Sequence, residues 1–177
     1  MTCSAHRLNT IFTDTWKDSI ADCQDIADLE KSINSLMTNI QHKADIQKLL
    51  PVKIKTGSQT RVWRGLKDRL ERVLKDYDTL GGIDSVKKYI FRLDKQVLEN
   101  MYNLIDKPIK MFDVLEKSDA SSLNYVAPVF YGLKKLFSAT HQDESYVKLF
   151  KEKFISRLNQ KFFLKDIHYT STFLDPN

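Results

Sequence analysis

Apolar residues recur every three or four positions along most of this chain, which is the period of an amphipathic helix. Glycine and proline, the residues that interrupt such patterns, number only five and four among 177 residues. The pattern therefore predicts a mainly all-α fold. Its helices are expected at about 4–20, 22–50, 59–80, 84–106, 109–117, 123–139 and 145–164.

The same period predicts which side chains each helix buries, because residues three or four apart lie on one side of a helix. We expect the remaining positions, which are mostly polar or charged, to face solvent. The predicted core comprises Leu8, Phe12, Trp16, Ile26, Leu29, Ile33, Leu36, Met37, Ile40, Val62, Leu66, Leu70, Val73, Tyr77, Val86, Ile90, Leu93, Val97, Met101, Leu104, Ile105, Phe112, Leu115, Val147, Phe150, Phe154, Leu158 and Phe162.

One short segment departs from the helical period. Residues 52–56 read Val-Lys-Ile-Lys-Thr, with β-branched residues at alternate positions, and predict a single β-strand. A lone strand leaves its backbone N–H and C=O groups without partners. We therefore expect this strand to have belonged to a larger sheet.

Composition and hydropathy indicate a soluble, intracellular protein. Apolar residues make up 42% of the chain and aromatic residues 11%, which is enough for a sizeable core. A membrane-spanning helix needs roughly 20 consecutive apolar residues, and no stretch approaches that length. The N-terminus has no basic and then apolar signal pattern, and no membrane association is expected.

Motifs for catalysis and metal binding are missing from the sequence. The two cysteines do not form a disulfide framework, and Cys3 with His6 supplies only half of a four-ligand zinc site. The spacing of those two residues fits packing on one helix face instead. The chain has no glycine-rich phosphate loop, no Gly-x-Ser-x-Gly turn and no evident acid–base pair of carboxylates. The prediction is no catalytic residue, no metal and no cofactor in this chain.

The basic residues are unevenly distributed. The formal net charge is +5, and residues 51–76 alone hold eight basic and three acidic residues. Clustered cations with an aromatic among them are typical of nucleic-acid binding, although a solvated helix face has the same composition. The candidate phosphate contacts are Arg61, Arg64, Lys67 and Arg72. Trp63 has two open interpretations, packing in the core or stacking on a base.

Four segments resemble, in order, landmarks of the hAT superfamily of DNA transposases. The first is Cys-Ser-Ala-His-Arg-Leu-Asn, which includes Cys3, His6, Leu8 and Asn9; we expect these residues to be structural. The other three are residues 59–74, residues 121–136, and a terminal Ser-Thr-Phe-Leu-Asp-Pro-Asn that includes Leu174, Asp175 and Pro176. The second differs from the family pattern, because Thr60-Arg61-Val62-Trp63 is one residue longer and Arg64-Gly65 replaces Asn-Ser.

The resemblance implies an RNase-H-like domain interrupted by a helical insertion. Residues 1–57 would be a remnant of that core, with the strand at 52–56 left from its sheet. Residues 58–177 would be the insertion domain, incomplete at its C-terminus. Intact transposases of this family cut DNA with three acidic residues that hold Mg²⁺ or Mn²⁺, and none of the three maps onto this chain. A nuclear location in a eukaryote is implied as well.

Three functional hypotheses remain open. In the first, the chain is a fragment of a hAT transposase, or a protein derived from one, that binds DNA through residues 51–76 without cutting it. In the second, it is a domesticated remnant whose exposed apolar faces bind another protein or a second copy. In the third, it is a decayed product without function. Salt-sensitive DNA binding favours the first, and salt-insensitive association through an apolar patch favours the second.

Overall fold

A computed structural model describes residues 4–41, 62–116 and 123–174, and all regular structure within these ranges is helical. Helices α1 to α5 are Ser4–Asp22, Gln24–Gln41, Val62–Lys75, Tyr77–Gly81 and Asp84–Ile90. Helices α6 to α10 are Lys95–Asp106, Ile109–Glu116, Leu123–Leu136, Ser145–Lys161 and Asp166–Phe173. No helix in these ranges has the length and apolar character needed to cross a membrane.

The expected all-α class is confirmed for the described part of the chain. The strand predicted at 52–56 lies outside the described residues. So do residues 42–50, the last part of the second predicted helix. The predicted RNase-H-like origin is a finer statement than helical class, and it stays a prediction.

Three helix boundaries differ from the sequence-based expectation. The helix predicted over 59–80 is divided into α3 and α4 at Asp76. The helix predicted over 84–106 is divided into α5 and α6 by a turn at 91–94. The side chain of Asp94 accepts hydrogen bonds from the backbone N–H groups of Gln96 and Val97, which starts a new helix there. Residues 166–173, where no helix was predicted, form α10.

The predicted core is confirmed at nearly every described position. Each predicted core residue whose burial is described is buried, except Tyr77, which is half-buried. The Tyr77 hydroxyl donates to the carbonyls of Leu93 at 3.1 Å and Ile90 at 3.4 Å, so its polar end is satisfied where α5 ends. Burial raises the pKa of Tyr77, with a further contribution from the Asp94 carboxylate.

The chain divides into two compact units. Unit 1 comprises Met1–Ser19 and Asp106–Asn177, and unit 2 comprises Ile20–Ile105. This division differs from the predicted one at about residue 57, a position that falls inside unit 2 and outside the described residues. The assignment of 1–57 to a core remnant and 58–177 to an insertion stays a prediction.

Each unit has its own core. In unit 1, the ring of Phe154 stacks on Phe137 with centroids 4.0 Å apart, and Phe12 contributes an edge from α1. In the same unit, Phe130 stacks on Phe162 at 5.7 Å. In unit 2, α2 packs against α3 and α5, and α4 packs against α5. Arg64, Lys67 and Arg72, the described cations among the predicted DNA contacts, therefore lie on α3, a helix whose apolar side is buried in unit 2.

Candidate nucleic-acid interface

Helix α3 carries most of the predicted DNA-contact residues. Its apolar residues Trp63, Leu66, Leu70 and Val73 are buried and anchor it in unit 2. The spacing of three and four residues between them leaves the charged positions on the other sides of the helix. Five cations and two carboxylates lie within Val62–Lys75, so the helix itself has an excess of positive charge.

Trp63 lies in the core and is 1% exposed. Its ring is therefore not accessible for stacking on a base in this structure. Of the two interpretations that the sequence left open, packing is the one that this position supports.

Lys67 and Lys75 share a single carboxylate. The Nζ atoms of both lysines lie 2.6 and 2.7 Å from the two oxygens of Glu71. The hydrogen bond from Lys67 is the largest cause that holds the pKa of Glu71 below its usual range, and Lys75 adds to it. Two positive charges against one negative charge leave this surface with a net charge of about +1.

The other cations of α3 are more tightly engaged. The guanidinium Nε of Arg72 lies 2.7 Å from an oxygen of Asp76, and both side chains are largely buried. Arg69 donates to Asn34 and lies 3.9 Å from Glu30, which joins α3 to α2. These arginines therefore have structural partners. Contact of Lys67 and Arg72 with DNA stays a prediction.

The remaining predicted residues are scattered. Arg64 is half-buried, and Arg61 lies outside the described residues, as do Cys3, Asp175 and Pro176. His6 is exposed and Asn9 half-buried, whereas Leu8 is fully buried and belongs to the core of unit 1. Leu174, by contrast, is 77% exposed.

The turn between α5 and α6 presents a surface that the sequence reasoning missed. Phe91 is 77% exposed there, although its neighbours Ile90 and Leu93 are buried. A signal existed in the sequence, because Phe91 does not fall on the apolar stripe formed by Val86, Ile90, Leu93 and Val97. Single apolar residues are common on protein surfaces, so this signal was weak without the turn that the structure shows.

Exposed cations flank Phe91 along the chain. Lys88, Arg92 and Lys95 are all exposed, and none of them pairs with a carboxylate in the part of the chain that the structure describes. Lys88 lies 4.9 Å from the centre of the Tyr89 ring, and Lys95 lies 5.1 Å from that of Tyr77. A contact with a ring face attracts a lysine but does not neutralise its charge.

Unit 1 has an exposed apolar surface at α10. Ile167, Phe173 and Leu174 are each more than half exposed, and no residue of α10 is fully buried. The helix packs on α8, where the hydroxyls of Tyr131 and Tyr169 are 3.2 Å apart and Thr172 donates to the Asn124 carbonyl at 2.7 Å. This surface fits the second hypothesis, association through apolar faces.

An open groove of about 540 Å³ runs between the end of α8 and α9. Among the described residues, Lys134 and Glu152 are the ionisable ones that line it, and Phe137 and Ile155 supply apolar walls. In the described ranges, no group of three or more His, Cys, Asp and Glu side chains is placed to hold a metal ion.

Comparison with models of known protein families finds no match for this chain. Comparison with curated proteins finds none either.

Proposed function

We propose that this chain is a non-catalytic DNA-binding protein derived from a hAT-family transposase. The four sequence landmarks, in the family's order, support that descent, and the helical architecture is compatible with an insertion domain. Unit 2 carries the DNA contact in this proposal. The genomic sequence upstream and downstream of the region that encodes this chain tests the descent. Strands that carry aspartates upstream, or a segment that carries a glutamate downstream, would support it. Unrelated sequence on both sides would count against it.

The observation that carries DNA binding is the sharing of Glu71 by Lys67 and Lys75. Ion pairs at a solvent-exposed surface are worth about 0–1 kcal/mol, so a phosphate can replace Glu71 as the partner of the exposed Lys75 at little cost. The side chain of Lys75 is 69% exposed, whereas that of Lys67 is 19% exposed, so Lys75 is the main phosphate contact in this proposal and Lys67 the lesser one. Arg72 is a weaker candidate, since its removal would leave the largely buried Asp76 without its cation.

Binding of this kind is expected to be weak, independent of base sequence and steeply dependent on salt. Each phosphate contact on duplex DNA contributes roughly −0.9 to the slope of log K against log salt concentration. Replacing both lysines (Lys67→Gln with Lys75→Gln) should reduce the magnitude of that slope by roughly 1.8. Fluorescence anisotropy with a labelled duplex at several salt concentrations measures it.

The matched control removes the same number of charges from unit 1. Lys135 and Lys148 are exposed lysines with no ion pair in the described residues, so Lys135→Gln with Lys148→Gln gives the same net charge. The control should keep the wild-type slope. An equal reduction of the salt slope in both variants would show that only the overall charge of the protein matters. An unchanged slope in the α3 variant would show that Lys67 and Lys75 do not contact DNA.

Strand cleavage is not part of the proposed function. The acidic triad of the intact family does not map onto this chain, and the nearest carboxylates to the first landmark have other partners. Asp14 lies 2.6 Å from Lys161, and Asp18 accepts from Arg157 at 2.8 Å. Incubating purified protein and supercoiled DNA with Mg²⁺ or Mn²⁺ should produce no nicking. Nicking that disappears when a carboxylate of this chain is replaced would refute this.

Association through α10 is the second candidate function, supported by the exposed Ile167, Phe173 and Leu174. Burial of apolar area depends little on salt, whereas phosphate contacts depend on it strongly. Sedimentation at low and high salt concentration distinguishes association through α10 from binding through phosphate contacts. Association that persists at high salt and is lost in Phe173→Ser would favour this second candidate.

A further inference from the structure

We propose that the turn between α5 and α6 binds unpaired nucleobases, with Phe91 as the stacking platform and Lys88, Arg92 and Lys95 as phosphate contacts. The inference rests on the proposed DNA binding and names a different ligand form, single-stranded nucleic acid, and a different surface from α3.

The exposure of Phe91 is built into the turn. Its backbone N–H donates to the Lys87 carbonyl at 2.9 Å, and the Leu93 N–H donates to the Ile90 carbonyl at 2.9 Å. Ile90 and Leu93 are buried on either side, and the Tyr77 hydroxyl holds both of their carbonyls. The backbone is thus fixed at the positions that flank Phe91. A backbone held this way loses little conformational freedom when the ring binds a ligand.

The charges close to Phe91 in the sequence favour an anionic partner. Residues 84–95 contain four cations and two carboxylates, and both carboxylates are engaged. Asp84 pairs with Lys87, while Asp94 caps α6 through two backbone N–H groups at 2.8 and 3.2 Å. The other three cations carry no ion pair in the described residues. A ligand that offers phosphates beside a flat apolar face fits this combination.

Single-stranded nucleic acid is such a ligand. Stacking of a base on an aromatic side chain is worth about 1–3 kcal/mol, and every base has a face that can stack. In a duplex the bases are already stacked inside, so Phe91 would gain nothing and only the phosphate contacts would remain. A phenylalanine ring has no hydrogen-bonding group, and no base preference is therefore expected.

An anionic membrane surface fits this turn less well. Phe91 is the one large apolar side chain exposed in the described part of unit 2, since its apolar neighbours are buried. Inserting a single phenylalanine supplies about 1.5–3 kcal/mol, which is too little for stable attachment. Lipid binding is retained as one outcome of the test.

The test uses the full chain and a labelled oligothymidylate of roughly 12 nucleotides, beside a duplex of the same length. Phe91→Ala should weaken single-strand binding roughly five- to 150-fold, which corresponds to the loss of one stacked base. Duplex binding at the same salt concentration should not change, and Phe91→Trp should keep single-strand affinity. Replacing Lys88 and Arg92 by glutamine should reduce the magnitude of the single-strand salt slope by about 1.4.

Phe163→Ala is the matched control, because Phe163 is 60% exposed and its neighbour Lys161 is paired with Asp14. This variant should bind the single strand as wild type does. Since Phe91 and Phe163 are both exposed, neither substitution should unfold the protein, and circular dichroism verifies that.

The outcomes separate this inference from the proposed function. Equal single-strand affinity in wild type and Phe91→Ala overturns the inference, while duplex binding that depends on Lys67 and Lys75 still supports the proposed function. Absence of binding to either DNA form overturns both. If Phe91→Ala changes only binding to phosphatidylserine vesicles, the turn is a lipid contact and the inference is wrong.

Discussion

His168 shows how one side chain can make a helix sensitive to pH. Its Nδ1 accepts a hydrogen bond from the backbone N–H of Lys165 at 2.9 Å, at the start of α10. Only an imidazole unprotonated at Nδ1 can accept that bond. Burial lowers the pKa of His168, and the positive charges of Lys165 and Arg7 lower it further.

We expect this histidine to reduce stability at acidic pH. Its folded-state pKa lies below the usual value of about 6.5, so the unfolded chain binds the proton more readily. The stabilising contribution is therefore complete above pH 6.5 and is lost as pH falls from there through the folded-state pKa. Denaturant unfolding of wild type at a series of pH values measures the loss.

His168→Gln is the control, because a glutamine three residues after the N-cap can accept the same backbone bond without titrating. The stability of wild type relative to this variant should fall with pH below 6.5. A constant difference across that range would show that His168 does not respond to protonation in this way.

At the scale of helices, the division of 84–106 into α5 and α6 depends on Asp94. The apolar period continues from Val86 to Ile105 without a break, because Leu93 keeps to the stripe across the turn. Periodicity alone therefore predicts one helix. The cap at Asp94 and the hydroxyl of Tyr77, which comes from another helix, produce the turn instead.

Replacing the cap should destabilise unit 2. Asp94→Ala removes the acceptor for two backbone N–H groups and should cost about 0.5–2 kcal/mol of the free energy of unfolding. Asp94→Asn keeps an equivalent acceptor and should lose much less. Urea denaturation compares the variants, and equal stability of Asp94→Ala and wild type would show that the cap is not needed.

At the scale of the whole molecule, the two units are expected to respond separately to a core defect. Phe154 packs against Phe137 and Phe12 in unit 1, and truncation of a buried phenylalanine costs about 3–5 kcal/mol. Phe154→Ala should reduce hydrogen-exchange protection of α8 and α9 amides, with a smaller effect on α2 and α3.

Phe154→Leu, which leaves a smaller cavity, should give an intermediate loss in the same helices. An equal fall in protection across both units would mean that the chain unfolds as one cooperative body. That result would make the division into two units irrelevant to stability.

Much of the fold was predictable because the signals that specify it are local. Helical class and the buried positions, such as Leu8, Phe150 and Leu158, depend on a period that is set by helix geometry. The terminal helix α10 was missed because it buries no residue completely and so leaves no apolar stripe to detect.

The candidate site was less predictable, since it depends on contacts between residues far apart in the chain. The sequence alone determined where cations and aromatic residues occur: Trp63 and Lys67 on a basic helix, Phe91 beside Arg92. Only the tertiary structure decided that Trp63 is buried while Phe91 is exposed, and that Arg69 is engaged by Glu30 from another helix. Burial and ion pairing arise when helices pack together. The periodicity of one helix contains no information about which residues of another helix will contact it.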